Sequence, residues 1–165
     1  MKRAARRQLW LLAAVVALLA AAWWQMHNDQ QTAPGRLLSL DPAAITRVDL
    51  QTGNAAAEHY VKRDAHWWRI DSGTPVRADD MHLGELVRIA AAPVQSWAAA
   101  SDYDPAKIGL APPQATLDLD GQTLQFGGMT AIGQNAYVQV GQRVGIVSLR
   151  YMPRSAAQSQ NIRPE

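Results

Sequence analysis

Asp118 and Asp120, followed by Gly121, stand where the first ligands of a calcium loop would stand. The later oxygen ligands, above all the closing bidentate Glu, are missing, so the pair reads as turn chemistry rather than a metal site. Gly128 and Gly133 have the glycine spacing of a phosphate-binding loop, but Gln134-Asn135 follow instead of Lys and Ser/Thr, and a strand pattern follows instead of a helix. His82 and Glu85, at i and i+3 on a polar helix face, could supply two metal bonds. His27, His59 and His66 belong to other elements and add no third ligand, so His82 and Glu85 read as a solvated pair. Asp79-Asp80 could act as paired carboxylates, although at the start of a helix they read first as a cap and a first-turn charge. No serine lies in a G-x-S-x-G elbow or an S-x-x-K motif. The chain has no cysteine, which excludes thiolate zinc sites, iron–sulfur clusters, a cysteine nucleophile and a disulfide framework. No catalytic residue, metal ligand or cofactor is assigned.

Trp67-Trp68 is the remaining feature with chemical potential. Neighbours on a strand point to opposite faces, so both indoles are buried only if both faces of the sheet are covered. The expectation is that one indole packs under a helix together with Ile70. The other, Trp67, then lies on the far face near Tyr60 and Arg69, and these three form a candidate partner or ligand surface. Ordinary packing of both rings is the competing reading.

The elements that must position these residues are legible from periodicity. GLAPPQATLDLDGQTLQFGG (109–128) holds a hairpin: with Asp120-Gly121 at the turn, Leu119 faces Gln122, Asp118 faces Thr123, Leu117 faces Leu124, Thr116 faces Gln125 and Ala115 faces Phe126. Ala115, Leu117, Leu124 and Phe126 then share one apolar face, and a slip by one residue would drive Asp118 into the core. Pro112 and Pro113 lie outside the strand. A second hairpin pairs 136–140 with 143–149 through Gly141-Gln142. Upstream, ITRVDLQ (45–51), AEHYVKR (57–63) and HWWRID (66–71) form a three-stranded meander, preceded by a single helical turn at Asp41-Pro42-Ala43-Ala44. Leu83, Leu86, Val87 and Ala90 fall at i, i+3, i+4 and i+7, predicting a helix within 77–93, capped by Asp79 and ended by Pro93. A short strand, VQSW (94–97), follows it. The expected fold class is α+β, with an amino-terminal transmembrane helix, then an antiparallel meander with one packed helix and two carboxy-terminal hairpins.

Residues 9–24 are sixteen apolar residues without a break, preceded by Lys2, Arg3, Arg6 and Arg7. At ~1.5 Å per residue they make about 24 Å of helix against a hydrocarbon core of about 30 Å. Trp23 and Trp24 fall where an interfacial aromatic belt belongs, and Arg6 and Arg7 mark the cytoplasmic side. The anchored reading is preferred over a cleaved signal peptide ending near Ala20-Ala21-Ala22. From residue 31 onward there are 12 Lys or Arg against 13 Asp or Glu, so the basic character is a topology signal and no evidence for nucleic acid as a partner. The expected organisation is a cytoplasmic basic tip (1–8), a transmembrane anchor (9–26), a linker (27–37), a periplasmic α+β domain (38–150) and a disordered tail (151–165). That places a single-pass protein in a bacterial inner membrane, with its amino terminus cytoplasmic and its domain periplasmic.

The segments LLSLDPAAITRVDL, HWWRI, AAPV, KIGLAPPQATLDLDGQTLQFGG and AYVQVG together resemble the bacterial domain-of-unknown-function family numbered 4340, over about residues 37–150. The resemblance implies an exported, membrane-tethered α+β module of the kind that accompanies ABC-type transport systems. It carries no catalytic residues to transfer. The expected function is a non-catalytic, membrane-anchored periplasmic accessory or adaptor with a protein partner, in an ABC-type transporter or another envelope complex. The alternative is a ligand-binding or hydrolytic domain acting on an envelope polymer, with Trp67 and Tyr60 as a sugar platform and Asp79 or Asp80 as carboxylates.

Overall fold

The computed structural model describes residues 15–20, 35–71 and 73–156. The chain divides into two units, Met1–Ala33 and Pro34–Glu165. In the first, residues 15–20 are helical and exposed; among the described residues no helix is long and apolar enough to cross a membrane. The basic tip with Arg6 and Arg7, the remainder of the expected anchor with Trp23 and Trp24, and residues 157–165 lie outside the described residues.

The second unit is α+β and built on antiparallel pairing. Its elements run β1 (Gly35–Arg36), β2 (Arg47–Thr52), β3 (Glu58–Arg63), β4 (His66–Arg69), β5 (Val76–Arg77), α1 (Asp80–Arg88), β6 (Pro93–Val94), β7 (Ser96–Ala99), β8 (Ala115–Leu119), β9 (Gln122–Met129), β10 (Asn135–Val140) and β11 (Arg143–Ser148). Nine strands form one sheet in the order β5-β4-β3-β2-β8-β9-β10-β11-β7, and β1 pairs separately with β6. The meander and the two hairpins are therefore halves of a single sheet, joined where β2 pairs with β8.

The β8–β9 hairpin has the register that its apolar alternation dictates, from Ala115 opposite Phe126 to Leu119 opposite Gln122. Asp120 and Gly121 both have positive φ, at 50° and 88°, the geometry whose twist matches that of the flanking strands. Further along β9 the register against β10 shifts, with Ala136 opposite Met129 but Val138 opposite Phe126. One extra residue on β9 makes this a bulge, and Gly127 and Gly128 occupy it. The Gly128 N–H leaves the ladder and donates to the Ile108 carbonyl at 2.8 Å. A β-carbon on Gly127 would collide with that same carbonyl oxygen. The paired glycines thus let the 108–110 segment lie directly on the strand backbone.

Two clusters hold the unit together. The main one joins Val48 and Leu50 of β2, Tyr60 of β3, Trp67 of β4, Leu83 and Leu86 of α1, and the inward side chains of the β8–β9 hairpin. The smaller one, on Val144 of β11, gathers Ile108 and Leu110 with Tyr103 and Tyr137 beside them. Val144 and Val147, three apart on β11, serve opposite clusters, so this strand is buried on both faces as strand alternation requires.

Several boundaries differ from the sequence-based expectation. The helix is Asp80–Arg88 followed by a 3-10 turn, Ile89–Ala91, while Arg77 belongs to β5. Asp79 caps it as expected, accepting from the Met81 N–H at 2.9 Å and the His82 N–H at 3.4 Å. The Asp41 segment is a hydrogen-bonded turn, with its carboxylate accepting from the Ala43 N–H at 3.0 Å. Residues 35–37, expected in the linker, belong to the domain: Leu37 is buried and its N–H donates to the Ala92 carbonyl. The domain also continues past residue 150, because Tyr151 and Met152 pack on the main core and Pro153 is buried. Residues 151–156 are therefore not a disordered tail; apolar Tyr-Met-Pro holds them down before the polar run begins.

Candidate functional site

The two tryptophans are placed opposite to expectation. Trp67 is 4 % exposed and belongs to the main core with Leu83 and Leu86 of α1, and Tyr60 is 1 % exposed. Trp68 points the other way and is half-buried, with the Arg77 guanidinium 6.0 Å from its ring. The error has a physical source. Ile70 does not mark the buried face, because β4 ends at Arg69 and Ile70, 39 % exposed, lies beyond the strand. A surface made of Trp67, Tyr60 and Arg69 is thus not present as an exposed aromatic platform. Of the three, only Arg69 keeps substantial exposure.

Tyr60 and Arg69 nevertheless border a concavity of the domain, a groove of about 1070 Å³. It is lined by residues of β5 and α1, from Val76 to Arg88, and by residues of the 150–156 segment. Five arginines line it: Arg69, Arg77, Arg88, Arg150 and Arg154. Their states differ. Arg69 donates from Nε to both Asp71 carboxylate oxygens, at 2.7 and 2.8 Å, with Nη2 at 2.6 Å. These hydrogen bonds hold the Asp71 carboxyl below its usual range and push the guanidinium up. Arg77 is paired with Asp80, at 2.7 Å. Arg150 bonds the Tyr151 hydroxyl at 2.7 Å and lies 4.6 Å from its ring. Arg88 and Arg154 are exposed and make no ion pair among the described residues. The acidic side chains on the walls are Asp79, which is occupied in capping α1, and Glu85.

Apolar surface runs between these charges. Met81 on α1 is 68 % exposed and Val76 on β5 is 55 % exposed, and both line the groove beside the partly buried Met152. Apolar contact surface under a cationic rim is the composition of a binding site for an anion that also carries apolar groups.

The carboxylates singled out from the sequence are engaged structurally. Asp80 accepts from the Trp67 N–H at 2.8 Å and from Arg77, and its Oδ2 lies 2.9 Å from His66 Nδ1. The Trp67 hydrogen bond first, then those to His66 and Arg77, hold Asp80 far below the ordinary carboxylate range. A general acid needs the opposite shift. His66 Nδ1 also lies 2.6 Å from Arg77 Nη2, so it accepts from Arg77 in the tautomer whose proton is on Nε2 and donates to Asp80 when Nδ1 carries the proton. Asp118 accepts from the Gly121 N–H and the Thr123 hydroxyl, both at 2.7 Å. Asp120 accepts from the backbone N–H groups of Thr46 and Arg47. Both aspartates are thus turn and strand pins. His82 is buried, unlike the exposed Glu85, so the two are not a solvated pair sharing one surface. Among the described residues no group of three or more His, Cys, Asp or Glu is placed to hold a metal ion. The Tyr60 hydroxyl donates to Glu58 Oε2 at 2.9 Å, and burial, then the Glu58 charge, pushes its ionisation far above the usual range.

The residues that sequence reasoning missed are Arg88, Arg150, Arg154, Met81 and Val76. Arg88 was visible as the last residue of the helix, but Arg150 and Arg154 fell at and beyond the expected end of the domain. No protein-family model, curated protein or solved structure matches the chain.

Proposed function

We propose that this protein is a non-catalytic binding module, anchored by its amino-terminal apolar segment in a bacterial inner membrane and presenting the α1 groove to a protein partner in the periplasm. The groove carries the reading: exposed Met81 and Val76 lie beside Arg88 and Arg154, which no acid of the described residues neutralises. Exposed apolar surface within a charged rim is the ordinary anatomy of a partner site. The uninterrupted apolar run at residues 9–24 behind four cations supports the anchor and its orientation. The resemblance to the family numbered 4340 supports the adaptor role and, more specifically, an accessory role in an ABC-type transporter or another envelope complex.

The alternative, a domain acting on an envelope polymer, has less support. Its aromatic platform is buried, Asp79 caps a helix and Asp80 is held as a carboxylate by three hydrogen bonds.

The test is photocrosslinking in cells of the full-length chain bearing a photoreactive residue in place of Met81. A discrete crosslink to one envelope protein, lost on adding Arg88→Glu, is expected. Absence of any crosslink from Met81, with efficient self-labelling of the same probe, removes the groove as the partner site.

A further inference from the structure

The occupant of the groove is specified by its charge and shape. This step rests on the reading of the groove as a partner site. Of the five arginines, Arg69 and Arg77 are satisfied by Asp71 and Asp80, whereas Arg88, Arg150 and Arg154 meet only one wall acid not already used, Glu85. The surplus is positive and demands an anion. The surplus cations come from two separate parts of the chain: Arg88 ends α1, whereas Arg150 and Arg154 belong to the segment that follows β11. Arg150 and Arg154 flank Tyr151 and the buried Pro153 in the segment that lines the groove together with α1. A single phosphate calls for guanidinium groups aimed at one centre. Here the cations are supplied by two elements, and the exposed apolar side chains of Met81 and Val76 line the same groove.

An extended peptide supplies the matching pattern, because its side chains alternate between two sides. Apolar residues on one side meet Met81, Val76 and Met152, while carboxylates on the other meet Arg88, Arg150 and Arg154. An acyl chain alone would meet the apolar side chains and leave Arg88, Arg150 and Arg154 unmatched. We infer that the α1 groove binds an extended acidic segment of a partner protein in which Asp or Glu alternates with apolar residues.

The experiment measures binding of fluorescein-labelled peptides to the full-length chain in neutral detergent by fluorescence anisotropy. The probes are a short peptide alternating Glu with Leu, its Gln–Leu counterpart and its Lys–Leu counterpart. The Glu–Leu peptide is expected to bind, to weaken as salt rises, and to weaken by about tenfold or more in Arg88→Glu/Arg154→Glu. Lys107→Glu, which changes the charge at an exposed site outside the groove, is expected to leave binding unchanged. Equal binding of the Gln–Leu or Lys–Leu peptide overturns the acidic specificity; if that binding is lost in Met81→Asp, the groove still stands as a partner site. Displacement of the Glu–Leu peptide by phosphatidylglycerol added to the detergent micelles, and not by phosphatidylcholine added in the same way, overturns the inference in favour of a lipid surface. Failure of every peptide to bind overturns it as well, and the Met81 crosslink then decides separately whether the groove is a partner site at all.

Discussion

The Asp120 carboxylate accepts a hydrogen bond from the Arg47 N–H at 2.8 Å, across 73 residues of sequence. The same carboxylate lies 3.2 Å from the Thr46 N–H and from its hydroxyl. The tip of the β8–β9 turn therefore holds the start of β2, and through it the junction between the two halves of the sheet. Asp120 also has φ of 50°, a conformation that Asp and Asn tolerate better than Ala. Asp120→Ala is expected to lower stability by about 1–3 kcal/mol in urea denaturation, with Asp120→Asn costing clearly less. Equal losses for the two would mean that the carboxylate is not the pin.

Acid sensitivity follows from Asp80 and Asp71. Hydrogen bonds to Trp67, His66 and Arg77 lower the folded-state pKa of Asp80, and those from Arg69 lower that of Asp71. When the folded pKa lies below the unfolded value, the unfolded chain binds more protons between the two, so stability rises with pH there. The contribution is complete above the unfolded value of about 3.9 and is lost as pH falls from there through the folded value. Asp80→Asn should lower stability at neutral pH and flatten the loss below about pH 4. Thermal denaturation of both proteins across that range checks the sign. An unchanged acid slope in the variant would assign the ion pair no share in it.

Much of the fold was legible because single residues left few alternatives. Asp118 could not enter the core, which settled the β8–β9 register, and Gly141-Gln142 likewise placed the second turn. Asp79 announced the helix start. What escaped were features that join distant segments. Pairing of β2 with β8, which makes one sheet of two motifs, leaves no mark on local periodicity. The face of β4 was misjudged because Ile70, past the strand end, was read as part of its alternation. The groove was hidden for a further reason: its walls come from residues 76–88 and 150–156, and the second wall lay where composition suggested an unstructured tail. Arginines separated by more than sixty residues carry no spacing signal.

Gly127 is required by backbone contact. A β-carbon there would collide with the Ile108 carbonyl oxygen and press on Leu110 Cγ at 3.1 Å, whereas one on Gly128 would come no closer than 3.6 Å to Ile108. The obstructing atom is main chain in a hydrogen-bonded bulge, so it cannot simply rotate away. Gly127→Ala is expected to destabilise by about 1–3 kcal/mol, with Gly128→Ala much milder. Hydrogen exchange should show lost protection at the Gly128 N–H in the first variant. If the two substitutions cost the same, the close approach of the 108–110 segment is not what selects glycine.

The reversed tryptophans give the most direct check on the architecture around α1. Trp67 fills the core beneath the helix, so Trp67→Ala leaves a large cavity and is expected to cost about 3–5 kcal/mol. Trp68 is half-buried on the other side, where its ring meets the Arg77 guanidinium at 6.0 Å. An exposed cation–π contact contributes about 0.5–1 kcal/mol, so Trp68→Ala should cost markedly less than Trp67→Ala. Because Trp67 lies under α1 and α1 forms one wall of the groove, Trp67→Ala should also weaken partner binding, but in proportion to its loss of fold. Trp68→Ala separates the two effects, since it leaves α1 in place and the one groove arginine it touches, Arg77, is still held by Asp80. Urea denaturation ranks the two variants, and peptide binding at a temperature where both are folded completes the comparison. A larger stability loss for Trp68→Ala would reverse the assignment of the buried face.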